Sequence, residues 1–146
     1  MIGVYNMASK ITVRDNSKEV VSLFKKAVHN GLTAVGMTAE KHAKKAITEQ
    51  KAVDTGLLRN SVTYAIAGYQ THVESYSNNK GTKTGSYSGT MDGKKDSAVY
   101  IGTNVEYAPY VENGTSKMAA RPFLKPAATE HSDEYKRLFE AALKNG

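Results

Sequence analysis

The sequence has no cysteine. Disulfides and thiolate metal sites are therefore excluded. It has no tryptophan and only three Phe against nine Tyr, so its large aromatic surface mostly ends in a hydroxyl. Such residues suit protein interfaces and ordinary sheet surfaces alike. Proline is scarce, with Pro109, Pro122 and Pro126 all towards the end of the chain. No run approaches the ~20 apolar residues that span a bilayer, so no membrane partner is expected. Met1 to Met7 carry neither the basic segment nor the apolar run of a secretion signal, and the chain is expected to be made in a cytoplasm.

What is present suits an ordinary soluble fold. The 146 residues are 40% hydrophobic and 23% charged, which fits one domain spanning residues 1–146. The net charge of +6 is unevenly placed. Residues 1–48 hold eight Lys or Arg against three Asp or Glu, whereas residues 98–146 hold six against six. A basic surface can face nucleic acid or an acidic protein, and it can equally be a solvated helix face.

Signatures of catalysis are missing. His29, His42, His72 and His131 are scattered, and none has the spacing of a zinc site. Gly114-Thr115-Ser116-Lys117 lacks the strand and helix order of a phosphate loop, and there is no Gly-x-Ser-x-Gly elbow. Glu106 and Glu112 could form a carboxylate pair, but Glu112 fits the face of a short helix better. No catalytic, metal or cofactor-binding residue is assigned, no cofactor is expected, and the chain reads as a non-enzyme.

Hydrophobic periodicity orders the elements. Met7 to Val13 alternates as a short strand, and Asn16 or Ser17 can cap a helix. From Lys18 to about Gln50, Val20, Phe24, Ala27, Val28, Leu32, Val35, Ala39, Ala43 and Ile47 recur at three- and four-residue steps. That predicts one long amphipathic helix with a single buried stripe, weakened and open to a bend at Gly31 and Gly36. Asp54 can cap a single turn carrying Leu57 and Leu58. Asn60 to Ala67, Thr71 to Ser77 and Ala98 to Thr103 read as strands. Between the last two lies a Gly-, Ser- and Lys-rich stretch, residues 78–97. It cannot build a core and must be a long loop or a projecting hairpin. Pro109 can open a short helix that Gly114 closes. A last helix is expected over about 122–144, with Phe123, Leu124, Ala127, Ala128, Tyr135, Leu138, Phe139, Ala142 and Leu143 on its apolar side. Pro126 must lie in its first turn or force a break. The expected fold is α+β: an antiparallel sheet of three to four strands packed against a long N-terminal helix and a C-terminal helix.

Two segments carry a resemblance. The first is Val53-Asp54-Thr55-Gly56-Leu57-Leu58-Arg59-Asn60-Ser61, directly after the long helix. The second runs from Tyr100-Ile101-Gly102-Thr103 through Tyr107-Ala108-Pro109-Tyr110-Val111-Glu112-Asn113-Gly114 to Arg121-Pro122-Phe123-Leu124-Lys125-Pro126-Ala127. In this order they resemble the neck-protein family of siphophages and prophages, whose members complete the tail and join it to the head. Asn113 and the length of the 78–97 loop depart from the family's pattern. The resemblance implies a structural virion protein at the head–tail interface. It would be a homo-oligomeric ring subunit, with six copies a candidate size, meeting other neck, connector and tail-terminator proteins. The motif is built from turn-makers and anchors. Asp54, Gly56, Leu58, Arg59, Tyr107, Pro109, Tyr110, Glu112, Gly114, Met118, Arg121, Pro122 and Phe123 are its candidate interface or shape-setting residues. Tyr107, Tyr110 and Met118 are the leading candidates for subunit contact, and Arg121 could pair with Asp54, Glu106 or Glu112. Lys80, Lys83, Tyr87, Lys94 and Lys95 make the loop a candidate partner contact. The alternative reading is a small basic DNA-binding or DNA-channel-lining accessory protein, for which the same loop would follow phosphate.

Overall fold

A computed structural model describes Val4–Tyr5, Ile11–Thr12 and residues 15–50, 56–67, 75–86 and 98–145. Strands β1 (Val4–Tyr5) and β2 (Ile11–Thr12) pair antiparallel. Helix α1 (Ser17–Glu49) follows. It is unbroken for 33 residues, about 50 Å. Then come α2 (Leu57–Ser61), β3 (Thr63–Ile66), β4 (Ser75–Ser77), β5 (Thr84–Ser86), β6 (Val99–Gly102), α3 (Ala108–Asn113), α4 (Leu124–Thr129) and α5 (Ser132–Asn145).

The mixed fold with a long first helix is as expected. A sheet of three to four strands is not seen among the described residues. Among the described residues the strands pair two by two, β1 with β2, β3 with β6 and β4 with β5, all antiparallel. A strand starting at Asn60 does not form, because Leu57–Ser61 is helical and Val62 is the first extended residue. The last helix is also two. Glu130 and His131 separate α4 from α5, which places Pro126 at the third position of a helix of its own. A proline there has no N–H to lose, since that N–H would have no partner inside the helix.

The core has two parts along α1. In the larger, Ala43 and Ile47 meet Leu58, Val62, Val105, Ala108, Phe123 and Ala127. In the smaller, Leu32 meets Tyr64 and Ile66, with Val28, Val99 and Phe139 at its edge. Of the predicted stripe, Ala27, Leu32, Ala39, Ala43 and Ile47 are buried and Val28 and Val35 half-buried, but Val20 and Phe24, at its start, are exposed. Gly31 and Gly36 sit on the buried face, where the helix meets Phe139 and Tyr64 at a distance that leaves no room for a Cβ. Their effect is close approach of neighbouring elements within a continuous helix. Asn16 occupies the cap position without a side-chain bond. The Asp15 carboxylate instead accepts the Ser17 N–H at 2.9 Å, which holds its pKa below the usual value.

Candidate assembly surface

The first motif is a junction. Asp54 lies outside the described residues. Gly56 precedes α2 with φ of 82°, and a Cβ there would run into Asn79. The next residues then divide their work. Leu58 enters the core. Arg59 reaches to 3.5 Å from the Asn79 side chain, and the Asn60 amide donates to the Ser77 carbonyl at 2.7 Å. Both contacts hold the β4–β5 hairpin. Ser61 is fully buried, and its hydroxyl meets the Leu58 carbonyl at 2.7 Å and the Thr103 hydroxyl at 2.5 Å. One short helix thus ties the hairpin, the core and the end of β6 together.

That hairpin is the described part of the sequence excursion after β4. Buried Asn78 closes its tip, accepting the N–H groups of Thr82 and Lys83 on Oδ1 and donating to the Thr82 hydroxyl. Lys80 and Lys83 are exposed on this tip. Asn104 binds the hairpin from the other side, accepting the Tyr76 hydroxyl at 2.5 Å and donating to the Ser86 carbonyl at 2.6 Å. Tyr87, Lys94 and Lys95 lie outside the described residues.

The second motif folds back on itself. Pro109 stands in the first turn of α3, and Gly114 ends the helix with φ of 75°. Its backbone lies so close to Met118 and Ala120 that a Cβ would sit 2.7 Å from the Ala120 nitrogen. Thr115 and Met118 exchange backbone hydrogen bonds across the turn, and the Arg121 N–H donates to the Val111 carbonyl at 2.7 Å. The chain then returns beside α3. Glu112 accepts the backbone N–H groups of Phe123, Leu124 and Lys125 at 2.8, 3.0 and 2.8 Å. These are the donors that the start of α4 leaves without a helical partner, and the negative charge suits the positive end of the helix. Phe123 is fully buried, and the Pro122 carbonyl accepts the Gln50 side chain at 2.6 Å.

Most of the motif residues therefore fall into two sets. Gly56, Leu58, Glu112, Gly114, Pro122 and Phe123 are committed within the monomer. Tyr107 and Tyr110 are exposed on and beside α3, Tyr110 by 59%, and Met118 is half-buried. A further apolar surface escaped the sequence reading. Every residue from Lys18 to Lys26 is exposed, including Val20, Val21, Leu23 and Phe24. Periodicity placed two of these in the core, and it holds no information on where along a helix the partner elements stop. Between α1, β6 and α4 lies an apolar groove of about 490 Å³, lined by Val35, Ala39, Val99, Ile101 and Leu124 among others.

One cluster has no counterpart in the sequence motifs. His42 of α1 and His131 of the α4–α5 junction stack with ring centres 3.5 Å apart, and Glu134 of α5 meets His42 Nε2 at 2.8 Å. The spacing along the chain hides it, since His42 and Glu134 are 92 positions apart.

The two motifs thus serve the shape of the chain, through a buried anchor, a helix cap and tight turns. Residues 12–114 match the family model HK97-gp10_like, described as "Bacteriophage HK97-gp10, putative tail-component". The chain belongs to this phage tail-component family. That bears out the resemblance to tailed-phage proteins read from the two motifs, and it points to a virion location. No curated protein and no solved structure gives a significant match. Among the described residues, no helix is long and apolar enough to cross a membrane.

Proposed function

We propose that this tail component is a ring-forming neck or tail-completion subunit that joins the head connector to the tail, and that adjacent copies meet over the free end of α1. The contrast along one helix carries the reading. From Ala27 onward α1 buries a stripe, whereas the preceding two turns bury nothing and still present Val20, Val21, Leu23 and Phe24. Contiguous exposed apolar side chains of this size mark an interaction surface. Burying them returns roughly 25 cal/mol per Å² of apolar area.

A closed ring of like subunits needs a heterologous interface, in which a patch on one copy meets a different patch on the next. The α1 end is the projecting partner. The apolar groove between α1, β6 and α4 is the receiving one, and the exposed rings of Tyr107 and Tyr110 would face the adjoining ring. The membership of residues 12–114 in the tail-component family supports an assembly of this kind.

The test uses the full chain. Native mass spectrometry and sedimentation should show a discrete closed oligomer for the wild type. The double variant Leu23→Asp with Phe24→Asp should be monomeric with an unchanged circular dichroism spectrum, because both side chains are exposed already. Phage carrying it should accumulate unjoined heads and tails. A variant that assembles and joins like the wild type would remove the proposal, as would virions that lack this polypeptide.

A further inference from the structure

We propose that His42, His131 and Glu134 form a binding site for a late first-row divalent cation such as Zn²⁺, which clamps α5 to α1. The proposal is independent of ring assembly. Among the described residues, His42, His131 and Glu134 can hold a metal ion, each offering one ligand atom within 4.8 Å of the others. Imidazole nitrogens and a carboxylate oxygen are the donor set that Zn²⁺, Ni²⁺ and Co²⁺ accept.

The separations suit an ion. The Glu134 carboxylate oxygen lies 2.8 Å from His42 Nε2 and 3.8 Å from His131 Nδ1. A tetrahedral ion with bonds of ~2.1 Å spaces its donors ~3.4 Å apart, between these two values. Closing on the ion requires the two imidazole planes to tilt out of their parallel stack. His131 can supply that motion because it stands outside both helices, at the junction of α4 and α5. The three side chains are 20%, 33% and 39% exposed, so the site opens to solvent and a water can complete the coordination. The neighbours shape it further. Tyr135 lies 6.2 Å from both imidazole rings with its hydroxyl committed to the Ala127 carbonyl. The Arg137 charge acts on Glu134 and sets a limit on affinity.

The location gives such an ion a consequence. Helix α5 contains no buried residue, and it rests on α1 through half-buried Tyr135, Leu138, Phe139, Ala142 and Leu143. An element whose packed side chains all stay partly exposed can open locally at lower cost than the buried core. An ion bound to His42 of α1, to His131 just before α5 and to Glu134 in the first turn of α5 binds only the docked arrangement, and therefore stabilises it.

The experiment is titration of Zn²⁺ into untagged, metal-free protein by calorimetry, with hydrogen exchange of residues 132–145 measured with and without the metal. The expected result is one saturable Zn²⁺ per chain and slower exchange across α5. His131→Ala and Glu134→Gln, both at half-exposed positions, should each abolish the saturable event while circular dichroism stays unchanged. His29→Ala and His72→Ala should retain it. Absence of saturable binding by the wild type would overturn the proposal. So would binding that survives in a His131→Ala, Glu134→Gln double variant, or exchange in α5 that the bound ion leaves unchanged.

Discussion

Glu112 caps the helix that begins after Phe123: its Oε2 accepts the Phe123 N–H at 2.8 Å from a position 11 residues earlier. The same carboxylate takes the N–H groups of Leu124 and Lys125, and Pro126 has none to offer. Every early donor of α4 is thereby accounted for by one side chain on α3 and one proline. The cap also aims the chain so that Phe123 enters the core beside Val105, Ala108 and Ala127. Shape in this motif is set by a carboxylate that a reader searching for catalysis would count as an acid.

Replacing Glu112 should therefore cost more than a surface glutamate. Hydrogen bonds to a charged group contribute about 1.5–3 kcal/mol, and Glu112→Ala should lower unfolding free energy by about that amount. Glu112→Gln keeps an acceptor without the charge and should lose roughly half as much. Urea unfolding followed by circular dichroism measures both. Equal stability of Glu112→Ala and wild type would show that water replaces the cap.

The glycines of α1 give a prediction opposite in sign to helix propensity. Gly→Ala in an exposed helix interior gains about 1 kcal/mol. Here an added Cβ at Gly31 would lie 2.5 Å from Phe139 Cδ2, and at Gly36 2.5 Å from Tyr64 Cδ2. Overpacking of this kind costs about 1–3 kcal/mol. Phe139 sits on α5 and is half-buried, so it can yield. Tyr64 is buried in β3 and presents its ring near the Cβ attachment, with Val99 behind it. Gly36→Ala should accordingly be the more destabilising of the two in thermal melts. Combining Gly31→Ala with Phe139→Leu should restore most of the loss. A gain in stability from Gly36→Ala would contradict the close approach.

Much of this fold was legible because its signals are local. The period of α1, the Pro109 to Gly114 helix and the anchoring of Phe123 all follow from residues near one another. The strand after α2 was begun too early because Asn60 and Ser61 read as strand by pattern, while their side chains serve the Ser77 carbonyl and Thr103 from a helical turn. Which strands pair is a long-range property that no local pattern reports. The break between α4 and α5 was missed because Ala128 and Tyr135 keep one helical register across the polar residues 129–134. Exposure of Phe24 and the meeting of His42 with Glu134 depend on which elements end where. No spacing within one segment reports that.

Gly114 makes a sharper test of backbone geometry than an ordinary helix end. Its φ of 75° is joined to a ψ of 174°. That combination lies outside the left-handed helical well and in a region essentially confined to glycine. Asn, which often substitutes at left-handed caps, should therefore fail here as Ala does. Ala adds a Cβ 2.7 Å from the Ala120 nitrogen, a backbone atom that cannot rotate away. Both variants should lose about 2 kcal/mol or more. Loss of the Thr115–Met118 turn should appear as faster amide exchange at those two residues. An Asn variant as stable as wild type would indicate that the loop relaxes into a conventional cap.

Tyr135 links the last helix to alkaline pH. Burial, followed by the nearby Glu134 charge, pushes its phenol up to about 12 from an ordinary 10.0. The neutral hydroxyl donates to the Ala127 carbonyl and so joins α5 to α4. A raised folded-state value favours the protonated, folded form. That stability is complete below pH 10.0 and is lost as the pH rises towards about 12, because the unfolded chain releases its proton first. Unfolding free energy measured across this range should fall for the wild type and fall less steeply for Tyr135→Phe, which has no proton to release. The variant should also lack the latest-titrating component of the phenolate absorbance. Identical alkaline slopes for the two proteins would show that the hydroxyl is solvated, and that the α4–α5 junction is held by ring packing alone.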